Sequence, residues 1–192
     1  MSGQNPDVWA NWPEAPILDK HGGMTGAAYN AQLFFQHHPA CAGIFGYDHF
    51  TEEKVKHRKT PWGSPAGEFI DAEISQLRIW FQRDFAIVFS TEALIDAVAV
   101  ACRAASFDSL SDEVNSCVWD GHKRIDTVFS THFGAEDNDY TRYISRNFMI
   151  SFVARALDPG CKVDTMIILE GKQGIRKSSG LRALASDRFF SD

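Results

Sequence analysis

Residues 165–192, TMIILEGKQGIRKSSGLRALASDRFFSD, pass from an apolar run into a glycine-bearing loop and then into a helical pattern. Met166 to Leu169 is unbroken and apolar, as expected of a parallel strand covered on both faces. Gly171 to Ser178 follows, and Leu181 and Leu184 mark a helix beyond it. Strand, loop and helix in this order make a cradle for phosphate, because loop amides and a helix N-terminus both present positive charge. The residues expected to hold the anion are Gly171, Lys172, Gln173, Gly174, Ile175, Arg176, Lys177, Ser178 and Ser179. In that arrangement Lys177 reaches the β- and γ-phosphates of ATP, and the Ser178 hydroxyl takes a place on Mg²⁺.

The signature G-x-x-x-x-G-K-[ST] is met at Gly171, Lys177 and Ser178 and departs at the second glycine, where Arg176 stands. Glycine suits that position because it adopts backbone angles that cost other residues energy. Arginine there either keeps the loop and adds a charge, or spoils the cradle. A hydrolysing enzyme also needs an apolar strand ending in an acidic Mg²⁺ ligand. Nothing from Ser179 to Asp192 supplies one, and Asp48 lies on the wrong side of the loop. A lone central strand also exposes unpaired edges, so the sequence reads as cut short of a complete ATPase domain.

The preceding chain reads as mainly helical. Residues 1–29 form an irregular arm rich in Gly, Pro, Asn and Trp. Asn30 opens a short helix that Pro39 ends, with Leu33 and Phe34 buried and His37 and His38 at its close. Gly43–Tyr47 and Glu53–His57 read as a hairpin, and Thr60–Gly67 as a loop. Ile74, Leu77, Trp80 and Phe81 mark a helix over 71–85. Ser90-Thr91-Glu92 starts another, with Leu94, Ile95, Val98 and Cys102 on one face. This pair, within 70–110, resembles a helix-turn-helix or winged-helix unit, which serves DNA binding or plain packing. A further helix runs from Asp139 or Tyr140 to Leu157, with Tyr143, Ile144, Phe148, Phe152 and Val153 as its core stripe. Asp158-Pro159-Gly160 stops it. The fold class is therefore α+β: a mainly helical region with a small hairpin over 1–160, then the first β-loop-α unit of an incomplete, AAA+-like P-loop domain over 161–192.

Composition sets outer limits. Hydrophobic residues at 44% and charged residues at 23% suit a globular chain of 192 residues. No apolar run is long enough to cross a bilayer, so a cytoplasmic protein with no membrane partner is expected. Cys41, Cys102, Cys117 and Cys161 lack the paired spacing of a zinc site and read as reduced thiols. A net charge of -6 argues against a chain that coats DNA. Lys54, Lys56 and Arg58 would share one face of a strand, most simply a solvated one.

Several stretches in order resemble the virulence-associated protein E family of phage and island proteins, grouped with primase-associated, superfamily-three-like helicase ATPases. They are Val118-Trp119-Asp120-Gly121-His122-Lys123-Arg124-Ile125, Phe133-Gly134-Ala135-Glu136-Asp137 with Tyr140-Thr141-Arg142, and Val153-Ala154-Arg155. Asp158 to Asp164, Leu169 to Gly174, and Leu184-Ala185 with Phe189 to Asp192 continue the series. The resemblance implies an ATP-dependent, helicase-like protein of phage or mobile-element DNA replication. DNA would be a partner of the full-length protein, and a homo-oligomeric ring would form only with a complete ATPase domain. Phosphate-loop roles fall on Gly171, Gly174, Lys177 and Ser178, while catalysis has no counterpart in this chain. Trp119 and Arg124 are expected to form a structural corner, with Trp119 buried and Asp120-Gly121 turning.

A second class of reading stands beside this one: a non-enzymatic module that docks DNA or a replication partner, its degenerate loop no longer holding nucleotide. A serine hydrolase is set aside for want of a GxSxG elbow.

Overall fold

The computed structural model describes residues 8–191, so residues 1–7 of the expected arm and Asp192 lie outside it. By its internal contacts the chain forms two units, 1–109 and 110–192.

In the first unit, helix α1 (Ala28–His37) precedes the hairpin of β1 (Phe45–Asp48) and β2 (Glu53–Lys56), paired from Phe45↔Lys56 to Asp48↔Glu53. Two short strands complete the sheet: β3 (Gly67–Glu68), antiparallel to β2, and β4 (Ser106–Phe107), parallel to β1. Their order is β3-β2-β1-β4. Helices α2 (Glu73–Phe85) and α3 (Thr91–Ala104) lie in the crossover that returns the chain to β4. Phe34, Ile44, Leu77, Phe81, Phe89, Leu94 and Val98 form the core, with the Phe34 and Phe81 rings edge-on at 5.1 Å. Ser90 caps α3, its hydroxyl accepting from the Ala93 amide at 3.1 Å. Ala97 takes the buried place expected of Ile95, which is exposed.

Three polar residues hold this unit in ways the sequence did not announce. Asn30 lies inside α1, fully buried, and its amide bonds the backbone of Ile17 and Thr25, tying the irregular arm to the helix. Asp48 is buried at the end of β1 and accepts from the Phe50 and Ser109 amides, both at 3.0 Å. Lys56 is the inward residue of β2; its ammonium donates to the Glu68 carbonyl and pairs with Glu73. Burial pushes the Glu73 carboxyl up, but hydrogen bonds from Lys56, Ser64 and Trp62 outweigh it and hold the group below its ordinary range. Arg58 donates to the carbonyls of Pro39, Ala40 and Ala42. The basic run is thus no solvated stripe: Lys56 faces the interior because Glu73 waits there. Burial also raises the thiols of Cys41, to about 12, and Cys102, to about 11, so both stay protonated.

In the second unit, α4 (Ser109–Ser116) starts at the junction, followed by α5 (Val128–Phe133), α6 (Asp139–Leu157) and α7 (Lys177–Phe189). The Asn138 side chain caps α6 by accepting from the Thr141 amide at 2.9 Å. Ser145, fully buried, bonds the Ile125 carbonyl at 2.7 Å and the Val128 amide at 3.1 Å, which fixes α5 on α6. The 120–124 corner forms as an Asx turn, with the His122 amide on Asp120 and Arg124 gripping both Asp120 oxygens at 2.8 and 2.7 Å. Arg124, and secondarily the His122 amide, pull the Asp120 carboxyl down to about 2. Trp119 is not buried; it stands 73% exposed beside the corner. Tyr143 and Val153 also face out, and the most buried positions of α6 are Ser145 and Ala156. Both α6 and α7 contact α5. The 160/161 position therefore falls inside one contact unit.

Among the described residues the architecture is mixed α+β, with seven helices and one four-stranded sheet. No helix among them is long and apolar enough to cross a membrane.

Candidate functional site

Residues 166–169 run extended into the loop with period-two exposure: Ile167 and Leu169 half-buried, Met166 84% and Ile168 74% exposed. Among the described residues no strand pairs with them, so the extended backbone stands outside any sheet. A strand assignment needs a hydrogen-bonded neighbour, and the described residues do not supply one.

The loop then turns at Gln173-Gly174, where Gly174 has φ 86. The Ile175 side chain folds back over Gly171: a Cβ at 171 would meet Ile175 Cδ1 at 2.7 Å. This close approach is a specific reason for the first glycine of the signature. Arg176 stands just before the helix at φ 61, ψ 34, in the left-handed region. The position that usually carries the second glycine therefore does ask for glycine-like angles, and an arginine meets the demand at a cost of order 1–2 kcal/mol.

Helix α7 begins at Lys177, so Lys177, Ser178 and Ser179 occupy its first turn, where amides have no intrahelical partner. The Lys177 ammonium donates to the carbonyls of Gly171 at 2.9 Å and Lys172 at 3.1 Å. Gly171, Lys172, Gln173, Gly174, Ile175, Arg176, Ser178 and Ser179 are all exposed, and Lys177 half-buried. The helix is interrupted at Ser186 (φ 62, ψ 161), and Leu181 and Leu184 are half-buried rather than core.

Beside the loop lies an open cleft of about 570 Å³, lined by Phe129, Phe133, Tyr140 and Ile144, by 166–170, and by Ile175 to Lys177. Phe129 and Phe133 pack at 5.4 Å, and α7 comes so close to Phe133 that a Cβ on Gly180 would meet its ring at 2.7 Å. The aromatic wall was not singled out in the sequence as part of a site. Its residues are brought to the loop by the α5–α6 corner, some 30 to 50 positions upstream.

The donors gathered here are first-turn amides, two cationic side chains and the exposed hydroxyls of Ser178 and Ser179. The set is chemically suited to an anion with several oxygens.

Residues 114–192 match the family model of the virulence-associated protein E-like domain. Over these residues the chain is similar to that domain. No curated protein matches the chain. The virulence-associated E-like segment takes in the Asp120–Arg124 corner, α5, α6, the loop and α7. The fold features that frame the cleft therefore all belong to the matched region.

Proposed function

We propose that this chain binds Mg-nucleotide through the loop 171–179 and acts, as a helicase-like ATPase-type protein, in phage or mobile-element DNA replication. The observation that carries the reading is the placement of Lys177. It sits in the first turn of α7 with its ammonium folded onto the carbonyls of its own loop. A lysine so placed is a movable charge beside a helix N-terminus, and ATP γ- or β-phosphate oxygens are stronger acceptors than the two neutral carbonyls. Ser178, next in the helix, offers its hydroxyl to the Mg²⁺ that accompanies the nucleotide. Arg176 adds a second permanent charge at the same end. The similarity of residues 114–192 to the virulence-associated protein E-like domain supports this role, with DNA as a partner and hydrolysis needing acidic and arginine groups besides this loop. A cytoplasmic location accords with this role. Calorimetric titration with Mg-ATP tests it: saturable binding that Lys177→Ala weakens at least about tenfold is expected, and equal affinities of both proteins would refute it.

The second reading is a docking module without nucleotide. The left-handed arginine at 176 favours it, since that backbone costs more with a side chain than with glycine. A salt-dependent shift of DNA mobility indifferent to ATP would support this reading against the first.

A further inference from the structure

The geometry points to the cleft beside the loop as the seat of the nucleoside end of the ligand, with Tyr140 stacking on the base and Phe133 forming the floor. This inference rests on the phosphate-loop reading and adds a second contact region to it. Three observations carry it. The first is continuity: Ile175, Arg176 and Lys177 line the same cleft as Phe133 and Tyr140, so a phosphate chain held at the loop brings its ribose and base into that cleft. At about 570 Å³ the cleft has the size of small-ligand sites in general.

The second is the state of Tyr140. The residue is 74% exposed. An exposed ring of this size offers a flat face at modest entropic cost only if its backbone is already fixed. It is fixed here: Asn138 caps the helix, and Asp137 grips Arg142 through two bonds of 2.7 and 2.8 Å, on either side of Tyr140. Phe133 is held in turn by Phe129 and by the close approach of Gly180.

The third is the cleft's extended segment. The extended backbone of 166–169 makes no backbone hydrogen bond to any described residue, so its amides and carbonyls are available to the polar edge of a base. Apolar side chains, a stacking ring and free backbone polar groups are the components of nucleobase recognition.

Titrations of the whole chain with Mg-ATP and with Mg-tripolyphosphate separate the two contact regions. Wild-type protein is expected to bind ATP more tightly than tripolyphosphate. Tyr140→Ala should weaken ATP roughly tenfold, leave tripolyphosphate unchanged, and lose nothing in thermal stability because the ring is exposed; Tyr140→Phe should bind ATP as wild type does. Equal ATP affinity in wild type and Tyr140→Ala, or equal affinity of wild type for both ligands, would overturn the base seat while leaving the phosphate loop intact. Absence of binding of either ligand to the wild type would overturn the phosphate loop itself, and the base seat with it.

Discussion

The Lys177 ammonium donates to the carbonyl oxygen of Gly171, at 2.9 Å, across the turn that separates them. The contact, with its companion to Lys172, keeps a positive charge at the mouth of the loop. Replacing Lys177 by Ala removes that charge, while Lys172 and Arg176 remain. A hydrogen bond to a charged group is worth about 1.5–3 kcal/mol, so Mg-ATP affinity should fall by about 10- to 100-fold. Unliganded stability should barely change, because the loop is exposed. Calorimetry and a thermal melt of the same samples check both halves.

Arg176→Gly should move stability the other way. The left-handed angles at 176 suit glycine, and relief of the side-chain penalty is worth about 1 kcal/mol, less the greater freedom that glycine gives the unfolded chain. The variant should melt no lower than wild type. A clear drop in melting temperature would show that the arginine side chain stabilises the loop.

The Lys56–Glu73 pair makes the first unit sensitive to acid. The Glu73 carboxyl is held below its ordinary 4.5, so its contribution is complete above that pH and is lost as pH falls through the lower folded value. Glu73→Gln leaves the Lys56 ammonium buried without its counter-charge and should cost about 3–5 kcal/mol at neutral pH. It should also flatten the acid limb of the stability curve. Denaturant melts between pH 3 and pH 7 would show an unchanged acid limb if the pair contributes nothing.

Ser90→Ala removes the cap of α3, whose buried face carries Leu94, Ala97, Val98 and Cys102. A loss of about 1 kcal/mol is expected, with Ser90→Asp restoring most of it. Urea unfolding followed by far-ultraviolet circular dichroism measures both.

The parts of the molecule legible in the sequence were those governed by local chemistry. Ser90 announces a helix start, Pro39 and Asp158-Pro159-Gly160 announce stops, and the hairpin follows from alternation around a turn. Helix α7 begins at Lys177, where the spacing of the signature calls for a helix start. What the sequence hid depends on partners far along the chain. Lys56 looks like a surface charge until Glu73, 17 positions on, meets it inside. Strands β3 and β4 are two residues each, too short for any periodicity, and exist only as additions to the hairpin edges. Trp119 carries a large apolar ring in a corner that turns on Asp120 and Arg124 alone, so nothing obliges the ring to be covered. The aromatic lining of the cleft escaped notice for a similar reason: only the packing of α5, α6 and α7 brings Phe133 and Tyr140 to the loop.

Backbone amide resonances of residues 172–178, followed while Mg-ATP is added, test the central claim most directly. Saturable shifts concentrated at Gly174 through Ser178, with the Lys177→Ala protein needing about 10- to 100-fold more nucleotide for the same shifts, are the predicted result. Resonances that stay in place at saturating nucleotide, or that move only outside residues 165–192, would contradict it.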